Sequence, residues 1–197
     1  TGSSPELQQG SSISDNTFDV ASSPVGYQAI DVAQIGVSSG SSFEVNIDNN
    51  QVLNSSSTNE LINVENIIGG QDATLTINNN DILIDNNADG IEVSGPGNGN
   101  TNLVEVNDNS ITGTDDVAAA VGIDFDSSSS DSNLDAELTG NDISTLTGTN
   151  AIGINIADVG SDDGTMTVES NTFDSNGLHI DYDTAATGID TDDLRSD

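Results

Sequence analysis

The chain has 197 residues, of which 34 are acidic, one is basic (Arg195) and none is cysteine, for a formal charge of -33. Nucleic acid and anionic bilayers are held through Lys and Arg, so this balance excludes both and leaves cations or basic partners. Disulfides and thiolate metal sites are excluded as well, and no apolar run approaches the roughly 20 residues of a membrane span.

Low hydrophobicity with high net charge is also the composition of a disordered chain, so order has to be argued from pattern. The chain opens at Thr1 without a signal-like segment, as a processed protein or an excised fragment does. Residues 1–10 are polar with one proline. They are expected to cover an end of the fold or to be donated to a neighbour as an added strand.

From Ser11 onward one phrase recurs: an asparagine followed, two residues later, by an apolar residue. It appears in ISDNTF (Ile13–Phe18), IDNNQV (Ile47–Val52), INNNDI (Ile77–Ile82), VNDNSI (Val106–Ile111), LTGNDI (Leu138–Ile143) and VESNTF (Val168–Phe173). The aligned asparagines are Asn16, Asn50, Asn80, Asn109, Asn141 and Asn171, with successive gaps of 34, 30, 29, 32 and 30 residues.

Before each asparagine except the first, apolar residues alternate with polar ones: Val45/Ile47, Leu75/Ile77, Val104/Val106, Ala136/Leu138 and Met166/Val168. After each comes a second alternating pair: Ile30/Val32, Ile62/Val64, Ile91/Val93, Ile123/Phe125, Ile154/Ile156 and Ile180/Tyr182. Period-2 alternation marks strands with one buried face, and the Gly, Ser, Asn and Asp between them mark turns. No stretch shows comparable helical spacing. Units of this size cannot bury their own apolar face, so stacking is required.

The pattern therefore predicts an all-β, single-stranded parallel β-helix (β-solenoid) of about six coils over residues 11–182, followed by an acidic tail over 183–197. Stacked about 4.8 Å apart, the aligned asparagines are expected to form a ladder in which each amide donates and accepts along the column. They are also expected to take the left-handed backbone conformation at their corner.

The N-x-[I/V/F] turns followed by GI-x-[V/F/I] strands resemble the right-handed parallel β-helix repeats of the pectin-lyase-like superfamily, over about Ser11 to Tyr182. The resemblance implies a right-handed coil. It implies no single activity, since that superfamily includes polysaccharide lyases, hydrolases, phage tailspikes and bacterial surface proteins.

Several groups of residues are candidates for chemistry. DNNADG (Asp85–Gly90) matches the start of a calcium loop, with Asp85, Asn87 and Asp89 offering side-chain oxygens and Ile91 a carbonyl. The twelfth position is Pro96, where an EF-hand loop carries its bidentate glutamate, so the fragment is either a partial calcium site or a turn.

Between the apolar residues of the second alternating pair lie Asp31, Asn63, Glu92, Asp124, Asn155 and Asp181, all expected on one outer sheet face. The acidic members Asp31, Glu92, Asp124 and Asp181 form a row that salt or bound cations would screen. Glu105 and Glu137 share a second column with Asn46, Thr76 and Thr167. Carboxylates in adjacent coils repel by about 0.9 kcal/mol even at the dielectric constant of water. The alternative for both columns is a solvated surface that keeps the chain soluble.

Glycoside hydrolysis needs two carboxylates at a set separation. The pairs Asp115/Asp116, Asp162/Asp163 and Asp192/Asp193 lie in turns or the tail, and adjacency in sequence does not supply that separation. Pectin-acting members of the resembled superfamily use basic residues, for which only His179 and Arg195 are present. His179 also has no partner histidine at metal spacing. Thr74/Thr76 and Thr165/Thr167 suggest a flat threonine array of the ice-binding type, which Glu105 and Glu137 interrupt. Asn54-Ser55-Ser56 is an N-x-S sequon, and a serine run spans Ser127–Ser130.

The expectation is a non-enzymatic extracellular or cell-surface structural protein that forms a homo-oligomer or polymer through open helix ends, with calcium or other cations screening its acidic faces. A surface adhesin or passenger-type stalk, or a module holding a glycan on the turns Ser94–Thr101 or Ser127–Asn133, is the alternative. A carbohydrate-active enzyme comes third.

Overall fold

The computed structural model describes residues 10–19, 28–32, 35–36, 43–55, 59–65, 67–68, 73–85, 88–94, 102–114, 119–126, 134–146, 148, 150–157, 165–174 and 178–182. Every regular element among them is a strand. The chain is a parallel β-solenoid with three six-stranded sheets.

The first sheet takes the strands before each asparagine: Ser11–Ser14, Phe43–Asp48, Ala73–Asn78, Asn102–Asn107, Leu134–Thr139 and Thr165–Glu169. The second takes those just after it: Thr17–Asp19, Gln51–Ser55, Asp81–Ile84, Ser110–Gly113, Asp142–Ser144 and Thr172–Asp174. The third is built from Ile30–Val32, Ile62–Glu65, Ile91–Ser94, Val121–Asp126, Ile152–Ala157 and Leu178–Tyr182. A small parallel pair joins Ile35–Gly36 to Ile67–Ile68. Strands follow one another through each sheet in chain order, so each pass of the chain is hydrogen-bonded to the passes before and after it.

The alternation explains this arrangement. Period 2 sends every second side chain inward, and a parallel neighbour in register puts like beside like. Ile47 pairs with Ile77, Ile77 with Val106, and Val106 with Leu138. On the third sheet Ile62, Ile91, Ile123 and Ile154 form the equivalent column. All of these side chains are fully buried, and with Phe125 and their neighbours they make one continuous core.

The second sheet is absent from the alternation reading. Its strands of three to five residues turn only one or two side chains inward, such as Val52, Ile82 or Ile111. So short a run shows no period. A strand also precedes Asn16, at Ser11–Ser14, where serines conceal the alternation.

A glycine column fixes the entry to the third sheet. A Cβ on Gly90 would lie 2.5 Å from the Gly122 carbonyl oxygen, and one on Gly122 would lie 2.6 Å from that of Gly153. Successive passes approach too closely there for any side chain.

Candidate functional site: an asparagine ladder and an acidic face

Two features of the solenoid carry chemistry beyond apolar packing. The first lies at the corner between the first and second sheets. Asn50 donates its backbone N–H and one Nδ2 hydrogen to Oδ1 of Asn80, both at 3.0 Å. Asn80 does the same to Asn109 at 3.0 and 3.0 Å, Asn109 to Asn141 at 3.1 and 3.0 Å, and Asn141 to Asn171 at 2.9 Å for both. Asn16 opens the series on Asn50 at 3.2 and 3.1 Å.

The second Nδ2 hydrogen goes to a main-chain carbonyl of the preceding pass, three residues ahead of its asparagine. Asn50 reaches Ile13, Asn80 reaches Ile47, Asn109 reaches Ile77, Asn141 reaches Val106 and Asn171 reaches Leu138, each at 2.8 Å. Every polar atom of an interior amide is therefore used, which is the condition for burying it. Asn50, Asn80, Asn109 and Asn141 are buried. The backbone N–H of each preceding asparagine needs an acceptor, and this fixes Oδ1 rather than Nδ2 on that side.

The left-handed residue is not the ladder asparagine, contrary to the sequence expectation. It is the residue before it: Asp15, Asn49, Asn79, Asp108, Gly140 and Ser170, with φ between 55° and 67°. The two roles fall on adjacent residues because the left-handed residue turns the chain and the next side chain then points inward. Asp, Asn, Gly and Ser fit the first role. The second requires an amide.

The second feature is the outer face of the third sheet. Glu92 stands in register with Asn63 on one side and Asp124 on the other, and Asp124 with Asn155. Burial, then the charge and hydrogen bond of Glu60, with Asp124 and Asp89 behind, push the Glu92 carboxyl up to about 7. Asp89, raised to about 6, is shifted mainly by burial and then by Asp124 and Glu60, against the Val121 N–H that it accepts at 2.8 Å. Burial raises Asp124 too, opposed by the Asn155 amide at 2.9 Å.

The expected outer row is thus uneven. Asp31 and Asp181 are exposed and Glu92 and Asp124 half-buried, whereas Asn63 is 1% exposed. Its Nδ2 donates to Asp31 at 3.3 Å and to Glu65 at 3.1 Å, and its Oδ1 has no partner. Glu60 was not among the sequence candidates. Its signal was the column it shares with Gln28, whose Nε2 donates to it at 3.3 Å.

On the first sheet Glu105 and Glu137 pair directly. Burial and then the Glu137 charge raise the Glu105 carboxyl.

Of the calcium-loop candidates, Asp85 is exposed and accepts the Thr114 hydroxyl at 2.9 Å, and Asp89 accepts Val121. Ile91 is a strand residue with its side chain in the core. Asn87 lies outside the described residues, as do Asp115/Asp116, Asp162/Asp163, Asp192/Asp193, Arg195, the serine run, most of both long turns and the two terminal segments apart from Gly10. Among the described residues no three carboxylate or imidazole groups are placed to hold a metal ion.

Comparison with protein-family models, curated proteins and solved structures finds no match for this chain.

Proposed function

We propose that this chain is a non-enzymatic structural subunit of an extracellular or cell-surface assembly: a right-handed β-helix of six coils, of the pectin-lyase-like type, that associates through its ends with cations screening its acidic faces. The observation that carries the reading is the partial exposure of several core residues in the first and last described passes. Ile30, Met166 and Val168 in these end passes are buried, while Ile13, Phe18 and Val32 at one end, and Phe173 and Ile180 at the other, are only partly buried. Their register neighbours one pass inward, Ile47, Val52, Val64, Ile143 and Ile154, are fully buried. An unpaired outer edge on an end strand can template another chain, which is the role proposed here for the first and last described passes.

Cations enter because two copies at -33 each repel. Glu60, Asp89, Glu92 and Asp124 crowd one face without forming a metal-chelating group among the described residues, so the cations proposed here act by screening that charge.

The test is electron microscopy and sedimentation of the purified chain in millimolar calcium and then in chelator. Rods or fibres that lengthen with calcium and shorten on chelation are expected. Single short particles under both conditions would overturn the proposal and favour a monomeric stalk or glycan-binding module.

A further inference from the structure

We infer that the asparagine ladder runs on across the joint between two copies, making the assembly head-to-tail with Asn171 of one copy bonded to Asn16 of the next. The inference rests on the self-association proposed above and adds its polarity and register.

The two ends of the ladder are complementary. Each asparagine side-chain oxygen accepts two hydrogens from the pass before it, as Asn50 accepts from Asn16. No described residue donates to the Asn16 Oδ1, so among the described residues both of its acceptor places are unused. At the other end Asn171 gives one amide hydrogen to Leu138. Its backbone N–H and second amide hydrogen have no acceptor among the described residues. One end therefore offers an acceptor for two hydrogens and the other offers two donors.

The backbone groups are complementary in the same register, with donors and acceptors at both ends. The residue after each ladder asparagine donates to the preceding asparagine's carbonyl, as Thr172 does to Asn141 at 2.8 Å. Thr17 stands in that position at the first pass and Asn171 supplies the matching carbonyl at the last. The left-handed residues donate the other way, Gly140 to Glu169 at 3.2 Å, which leaves the Ser170 N–H for Ser14 of the next copy.

Asn16 also bonds differently from its equivalents. Its second amide hydrogen goes to the Ser14 carbonyl of its own pass at 2.9 Å, where the interior asparagines reach the preceding pass. A stacked copy would supply the usual partner, the carbonyl of Val168, three residues ahead of Asn171.

Side chains agree with this register. Ile13 would sit on Val168, Phe18 on Phe173 and Ile30 on Ile180, apolar on apolar in all three sheets. Joining two like ends instead sets the Asn16 ladder acceptors against each other, or the Asn171 ladder donors against each other. That leaves polar groups of the joint unpaired, which is costly once water is excluded.

The chain has no cysteine, so cross-linking reads this directly. Thr17 and Thr172 are exposed and occupy one column on the outer face of the second sheet. Head-to-tail stacking would set them on neighbouring strands, about 5 Å apart and within the Cα range of a disulfide.

Oxidation of the Thr17→Cys/Thr172→Cys chain in calcium is expected to give a covalent series of dimers, trimers and longer species, while each single variant stays monomeric on a non-reducing gel. Dimers from either single variant would show like ends meeting. A wild-type assembly that forms with no cross-linking of the double variant would be lateral. Both outcomes overturn the inference and leave the structural-subunit reading standing, whereas absence of any assembly removes both.

Asn16→Ala is the second variant. It is expected to keep the wild-type circular dichroism spectrum and to raise the concentration for assembly at least tenfold. Unchanged assembly would overturn the inference.

Discussion

Asn80 gives both its backbone N–H and one side-chain hydrogen to the single side-chain oxygen of Asn109, each at 3.0 Å, in a site closed to solvent. Replacing Asn109 by Ala removes that oxygen and also the donor to the Ile77 carbonyl. Three buried polar groups are then orphaned. At about 1–3 kcal/mol for a buried group without a partner, partly relieved by relaxation, the expected loss is about 3–5 kcal/mol. Urea unfolding followed by circular dichroism checks it. Asn16→Ala, at the exposed end of the same column, should cost under about 1 kcal/mol. Equal losses at the two positions would mean that the ladder contributes little beyond turn propensity.

Gly122→Ala tests the close approach at the third sheet. The new methyl would meet the Gly153 oxygen at 2.6 Å and Ile143 Cγ2 at 2.9 Å. The oxygen belongs to backbone held in the next pass and cannot swing away as a side-chain end could. A loss of about 2–3 kcal/mol is expected, at the upper end of overpacking effects, again by urea unfolding. The column holds Ala29 and Leu61 in the earlier passes, so the contact is particular to the later ones.

What the sequence discloses follows from how many residues carry each signal. The first and third sheets are visible because each strand places two apolar residues at period 2, repeated pass after pass. The second sheet is hidden because one inward residue, such as Val52 or Ile143, has no period. The asparagine column stands out through its spacing. Its backbone assignment was one residue off, because Asn79-Asn80 and Asn49-Asn50 present two asparagines and only geometry separates the turning residue from the bonding one. On the acidic face, alternation correctly groups Glu92 with Asp124 but gives no warning that Asn63 is buried or that Glu60 reaches over from the preceding corner. Those contacts depend on side-chain reach, which periodicity does not encode.

Acid should stabilise this protein over a range where many lose stability. Burial and neighbouring carboxylates raise Asp89 to about 6 and Glu92 to about 7, from 3.8 and 4.5. A carboxyl with a raised pKa binds more protons folded than unfolded. Its favourable contribution is complete below the unfolded pKa and disappears as pH climbs through the folded one. Stability is therefore expected to rise from pH 8 to pH 5, read as a higher Tm. Glu92→Gln should raise Tm at pH 8, by about 2–4 °C for each kcal/mol relieved, and flatten the pH profile. A Tm that falls steadily from pH 8 to pH 5 would contradict the crowding of Asp89 and Glu92 by their neighbours.

The paired glutamates of the first sheet offer a separate test with a salt signature. Glu105 faces Glu137 directly, and the residues flanking them in the column are Thr76 and Thr167. Like charges opposite one another in a sheet are unfavourable, and threonine suits a half-exposed strand. Glu137→Thr should stabilise the fold by about 0.5–1 kcal/mol at low ionic strength. The gain should shrink toward zero by about 1 M salt, where the Debye length falls to about 3 Å, below the separation of the two strands. Unfolding at 10 mM and 1 M sodium chloride separates this from packing: a gain that is the same in both would come from threonine's fit to the strand and not from relieved charge.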